Sequence, residues 1–355
     1  MHRLSQWFPI VAFVFLVFML TSSLPTFGIF SAVIALIGVV LSAVHHAEII
    51  AHRVGEPFGT LVLAVSITII EVGLIFSLML VGGESKSALA RDTIYATLMI
   101  ICSGVVGLSI LAGSIKHKEQ SFKVDGVASS LAALTVLSIV SLILPNFTTS
   151  APGAFYSVSQ IAFVATISLC LWSVFVYAQS GRHRDYFLPS LEFLNEDTHA
   201  IPPTKLQAIQ STGYLILSLV CVVGLARGLS PNIEQYLKDA GAPLAAVGVL
   251  IALIVLLPET GAAIRASLSN RFQASINLAL GSALASMGLT IPAVAILSVI
   301  FDMPLVLGLG SKEMILLVTT LLTCIITFSS GRTNLMLGAV HLVLFFSFLV
   351  LTFLP

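Results

Sequence analysis

Residues 58–83 read FGTLVLAVSITIIEVGLIFSLMLVGG and carry one charge, Glu71. Residues 241–264, GAPLAAVGVLIALIVLLPETGAAI, also carry one, Glu259. About 20 apolar residues in a helix cross the hydrocarbon core of a bilayer, so both stretches read as membrane spans. A carboxylate at the centre of such a span costs roughly 2.5–3.5 kcal/mol on insertion scales. A chain keeps it there when something needs a negative oxygen. The two acids stand in comparable places in the two halves of the chain, which points to a paired site for a cation or proton.

The rest of the chain agrees with this reading. It has 355 residues, 57% hydrophobic and 9% charged, with mean hydropathy +1.07. A soluble domain carries about 25% charged residues. The fold class is therefore an all-α polytopic membrane protein in contact with the lipid bilayer, because a helix satisfies its own backbone in lipid. Formal net charge is zero, and nothing argues for a nucleic-acid partner. Cys102, Cys170, Cys221 and Cys324 lie in apolar runs without metal or disulfide spacing and read as packing residues. The run Trp7–Leu20 has the look of a signal peptide. It reads better as a first span, because apolar spans follow it almost to Pro355.

Hydropathy places spans at 8–24, 26–45, 58–82, 92–115, 126–145, 154–178, 209–228, 242–264, 273–300, 311–329 and 333–354, about eleven in all, with only Pro25 between the first two. With the N-terminus in the cytoplasm and the C-terminus outside, eleven Lys and Arg fall inside and five outside, which is the favoured sense. The long polar segment 179–207 is then a cytoplasmic loop. Residues 1–25 form an N-terminal span, 26–178 a first repeat of five spans and 208–355 a second. An odd number of spans per half inserts the second half upside down, the arithmetic of an inverted-repeat transporter with its site near the midplane. Glu71 and Glu259 each fall in the second span of their half. Asp92 and Asn277 each open a following span rich in small residues and read as helix N-caps.

Several motifs resemble those of the calcium/cation antiporter superfamily, calcium/proton exchanger branch. They are Gly55-Glu56-Pro57-Phe58-Gly59-Thr60-Leu61 with Glu71 sixteen residues after Gly55, Leu257-Pro258-Glu259, and Asn277-Leu278-Ala279-Leu280-Gly281-Ser282. The tail Phe328-Ser329-Ser330-Gly331-Arg332-Thr333-Asn334, with Gly338 and His341, resembles the bacterial ChaA type. The resemblance implies a multi-pass antiporter of the bacterial cytoplasmic (inner) membrane that expels calcium, sodium or potassium in exchange for protons. It needs no cofactor and is compatible with a homo-oligomer. Departures are visible: Ile67 and Thr68 replace a Gly-Asn pair, Arg265 stands where the family has its second Glu, and Leu337 replaces a later Glu.

The expected cation- and proton-binding set is Glu71 and Glu259 as metal-ligating carboxylates, with the hydroxyls of Ser66, Thr68, Ser282 and Ser286. Thr68 precedes Glu71 by three residues and shares its helix face. Calcium takes six to eight oxygens and sodium tolerates fewer, so the lost amides point to sodium or potassium as well as calcium. Burial and a neighbouring like charge both favour a protonated carboxyl, so protons and a cation compete for one site. Pro57 and Pro258 suggest broken helix backbone that offers carbonyls. Glu48, Glu56 and Asn334 are gating candidates; a solvated loop face is the plain reading of the two acids, and a cap that of Asn334. His45, His46 and His52 read as an interfacial polar cluster, and His341 as a buried, satisfied histidine. The alternative function is a cation channel or a secondary transporter of another substrate. Motifs of intramembrane or serine hydrolases are absent from the sequence, which argues against an enzyme.

Overall fold

A computed structural model of the chain describes residues 2–21, 25–55, 58–82, 86–188, 203–239 and 241–354. In order it runs α1 (His2–Thr21), α2 (Thr26–Val54), α3 (Phe58–Gly82), α4 (Leu89–Met99), α5 (Val106–His117), α6 (Val124–Ser138), α7 (Val158–Tyr177), α8 (Arg184–Phe187), α9 (Lys205–Asp239), α10 (Ala245–Leu268), α11 (Phe272–Ala285), α12 (Ile291–Ile300), α13 (Ser311–Phe328) and α14 (Leu335–Phe353). A two-stranded antiparallel ribbon pairs β1 (Gln120–Ser121) with β2 (Arg332–Thr333).

Among the described residues, ten helical rods are long and apolar enough to cross a membrane. The apolar part of α1, Ser5–Thr21, is shorter than these. The eleven expected spans are thus ten plus a shorter N-terminal helix. The first two are separate helices, since α1 ends at Thr21 and α2 begins at Thr26, after Pro25. Proline lacks the N–H that a helix interior requires, so it stands outside α2. At the other end Gly55, at φ 77°, closes α2 in a conformation that costs glycine little. The capping box of Ser157 and Gln160 sets the start of α7.

Among the described residues, four segments are π-helical. The π segment Ile100–Val105 joins α4 to α5, and Ser286–Thr290 joins α11 to α12. A third, Ile139–Ile143, extends α6, and a fourth, Ala178–Arg182, extends α7. A π turn widens the helix and shifts its hydrogen-bond register.

The chain divides into two compact units, and each draws on both halves of the sequence. The first holds residues 1–89 and 199–255. In it α1 packs on α2 and α9, and α2 and α3 pack on each other and on α9. Glycines set the spacing: Gly38 faces Phe8, Gly224 faces Leu16 and Gly228 faces Met19. The second unit holds residues 90–198 and 256–355. There α14 packs on α5 and on the π segment Ile100–Val105. A Cβ at Gly107 would lie 3.0 Å from His341 Cβ, and one at Gly338 would lie 2.8 Å from the Leu111 backbone nitrogen, so small residues permit the close approach.

Candidate functional site

The carboxylates lie in different units, and each has its own surroundings. In the first unit Glu71 sits in the middle of α3 and is 2% exposed. Thr68, on the same face, and Ser66 are buried with it. Their hydroxyls donate to the carbonyls four residues back, Thr68 to Ala64 at 2.9 Å and Ser66 to Val62 at 2.7 Å. This spends the hydrogen and leaves oxygen lone pairs free to accept from a proton donor or to face a cation. Gly73 lets α9 come close beside Glu71: a Cβ there would lie 2.7 Å from Val223 Cγ2.

In the second unit Glu259 follows Pro258 on α10 and is half-buried. Ser282 of α11 donates its hydroxyl to Glu259 Oε2. The structure therefore brings together two residues that are 23 apart in sequence and were both expected at the site. Ser286 lies one turn beyond Ser282, buried, where α11 passes into its π segment. Helix α10 is continuous through Pro258, which corrects the expected helix break. Proline still leaves the carbonyl four residues earlier, that of Ile254, without its helix donor.

Other expectations need correction. Asn277 does not cap a helix. It lies inside α11, accepts from Gln273 at 2.9 Å and donates to the Phe187 carbonyl at 2.5 Å. Asp92 lies inside the first turn of α4 and pairs with Arg91 at 2.8 Å, and Arg91 also reaches the Gly308 carbonyl at 3.0 Å. Glu48 is exposed on α2 and not in a loop. Glu56 and Pro57 lie outside the described residues. Asn334 caps α14 by accepting from the Leu337 N–H at 3.1 Å. His46 is buried, with the His45 ring edge-on beside it. Its ring nitrogens lie 3.2 Å from Ser211 Oγ and 3.3 Å from the Ser5 carbonyl, and it stacks on Tyr214.

The sequence reading missed the π segments. Their irregular register gives backbone carbonyls side-chain partners. In Ile100–Val105 the Cys102 carbonyl faces His341 Nδ1 at 2.8 Å and accepts from Cys324 Sγ at 3.5 Å. His341 Nε2 lies 3.0 Å from Thr327 Oγ1, so the buried imidazole is satisfied on both nitrogens, as expected. In Ile139–Ile143 the Val140 carbonyl accepts from Tyr156 Oη at 2.5 Å. The only trace in sequence is a Ser with a Gly inside an apolar run, at Ser103-Gly104 and at Ser286-Met287-Gly288.

Among the described residues, no three His, Cys, Asp or Glu side chains gather into a metal site. What the geometry offers is a carboxylate in each unit, with hydroxyl and backbone oxygens beside it. Such oxygens suit a hard cation in passage or a proton.

The profile of the sodium/calcium exchanger protein family matches residues 24–181 and 210–354. A protein of Sinorhizobium fredii (strain NBRC 101917 / NGR234), y4hA, which its name calls an ionic transporter, is 44% identical over 321 residues, 90% of this chain and 87% of its own. The sodium-potassium/proton antiporter ChaA of Escherichia coli (strain K12) is 37% identical over 356 residues, 98% of this chain and 96% of its own. Among solved structures, the H+/Ca2+ exchanger CAX superposes with a TM-score of 0.73 at 15% identity, over 98% of this chain and 88% of that one.

Proposed function

The chain belongs to the sodium/calcium exchanger protein family, and from that membership we propose that it is a cation/proton antiporter of the bacterial inner membrane. Cytoplasmic sodium, potassium or calcium is exchanged for external protons, with Glu71 and Glu259 as the groups that bind one or the other. It is a multi-pass membrane protein and, like its relatives, a transporter and not an enzyme.

The observation that carries the reading is Glu259, a carboxylate inside an apolar helix that accepts the hydroxyl of Ser282 from the next rod. An ionised carboxylate can hold a cation; a protonated one cannot. Competition between the two states couples the fluxes without further machinery. Glu71 offers the same chemistry in the first unit, buried among hydroxyl oxygens. Two sequence halves that both contribute to each unit suit the inverted-repeat reading. The missing amides around the carboxylates favour sodium or potassium over calcium alone.

The test is proton flux in everted membrane vesicles on addition of sodium, potassium or calcium, each separately, followed with a pH-sensitive dye. The wild-type chain gives cation-driven proton release. Glu71→Gln and Glu259→Gln, which keep the shape and remove the charge, each abolish it. Wild-type flux from either variant would refute the role of that glutamate, and cation conduction without proton movement would identify a channel.

A further inference from the structure

Hydroxyls on membrane helices normally donate to the carbonyl four residues back. In this chain Ser130 on α6 and Thr166 and Ser173 on α7 do so. On the same two rods Thr135, Ser138, Ser141 and Ser168 have no hydrogen-bond partner in the protein, although their oxygens are buried. Ser138, Ser141 and Ser168 are each 0% exposed. Tyr95, Ser109 and Ser114 complete the set of such hydroxyls among the described residues, and all of them belong to the second unit.

The two rods that carry these hydroxyls both pack on one element, the π segment Ser286–Thr290. Ser168 lies in the middle of the buried stripe of α7, between Val164 and Trp172. That stripe packs on the π segment Ser286–Thr290, where a Cβ at Gly288 would run into Trp172. Ser138 and Ser141 lie on the buried side of the α6 rod, which packs on α11, on the same π segment and on α7. The π segment itself begins with Ser286, one turn from the Ser282 that donates to Glu259. Hydroxyl-bearing faces of α6 and α7 therefore border a π segment that begins one turn from the Ser282–Glu259 bond.

Buried hydroxyls that do not bond to protein are satisfied by water, and a buried water needs two to four polar partners. No carboxylate stands among these four, so a dehydrated cation finds no countercharge there. Water both donates and accepts, as a hydroxyl does. We propose that Thr135, Ser138, Ser141 and Ser168, with Ser286, hold a chain of buried water that carries protons to and from Glu259. This rests on the antiport reading above and assigns the proton its path. Each oxygen along the chain takes one proton and releases another. The last proton binds the Glu259 carboxylate as the cation leaves, so no oxygen keeps a net charge.

The test uses the combined variant Ser138→Ala, Ser141→Ala, Ser168→Ala in reconstituted vesicles, with two readouts. Cation-driven proton flux falls several-fold, while isotopic sodium self-exchange at equal pH, which needs no proton, stays at the wild-type rate. Both rates unchanged, or both falling in step, would overturn the proposal. A second measurement does not depend on how the variant folds. Radiolytic hydroxyl-radical footprinting of the wild-type chain in detergent oxidises Met287, which is 0% exposed, if water stands beside it. An unlabelled Met287 also overturns the proposal. A wild-type chain that moves no protons when cations are added would instead defeat the antiport reading, and the Met287 label would still report the water.

Discussion

Ser282 donates its hydroxyl to Glu259, tying α11 to α10 at the one charged residue in residues 241–264. A hydrogen bond to a charged group is worth about 1.5–3 kcal/mol, enough to matter if, as proposed, this carboxylate binds the cation.

Removal of that donor by Ser282→Ala should therefore weaken the apparent affinity for the driving cation by about tenfold or more. Ser282→Thr keeps the hydroxyl and should restore most of it. Concentration dependence of cation-driven proton flux in vesicles checks both. An unchanged apparent KM in the Ala variant would show that the bond contributes nothing to the transport cycle.

Hydropathy located the rods well, because lipid imposes one rule on every span. Helix α3 runs over the expected residues 58–82. It underestimated α2 and α9, whose polar ends continue past the apolar core to Val54 and Asp239. The π segments were invisible, since an extra residue in a turn changes register and leaves hydropathy as it was. Glu259, Ser282 and Ser286 were each legible as residues. The bond between the first two was not, because it depends on how α10 lies against α11.

The His341 imidazole bridges the Cys102 carbonyl and Thr327. In His341→Leu the Thr327 hydroxyl and part of the capacity of that carbonyl are left unpaired, at about 1–3 kcal/mol for each buried group. Thermal unfolding in detergent should occur several degrees lower, with cation-driven flux per folded molecule preserved. Lost flux in a fully stable variant would instead make His341 part of the proton path.

The Gln120 side chain holds the end of α10. It donates to the Ser267 carbonyl at 2.9 Å and to Asn270 at 3.1 Å, and it accepts from Ser267 Oγ at 2.8 Å. Gln120→Ala takes this donor from the buried Ser267 carbonyl, while the Ser267 hydroxyl keeps the Ser109 carbonyl at 2.6 Å, and should cost about 1–2 kcal/mol. Gly113→Ala should have a similar effect by a different route, since its new methyl would run into Gln120 Oε1 and Ser267 Oγ. Unfolding midpoints of the two variants, and of the pair together, check this. Because both act on one contact, the double variant should lose less than the sum.

Gly224 and Gly228, one turn apart on α9, seat Leu16 and Met19 of α1. Leucine at either position overpacks this seam, at about 1–3 kcal/mol each. Proteolysis near the N-terminus should then become faster than in the wild-type chain. Unchanged protection would mean that α1 is held by other contacts.

Tyr156 precedes α7, is 8% exposed and donates to the Val140 carbonyl of the π segment Ile139–Ile143. Burial pushes its phenol up from the ordinary value of 10.0. A group whose folded-state value is raised contributes its full stability below the unfolded value and loses it as pH rises through the folded one. Tyr156→Phe should therefore cost about 1 kcal/mol at neutral pH, and the same amount at moderately alkaline pH. The gap to wild type should narrow only above the ordinary phenol value. Unfolding midpoints measured for both proteins from neutral to strongly alkaline pH check the sign. A gap that closed below that value would mean that the phenol ionises in the folded chain more readily than in water, and that the bond to Val140 is not the source of its stability.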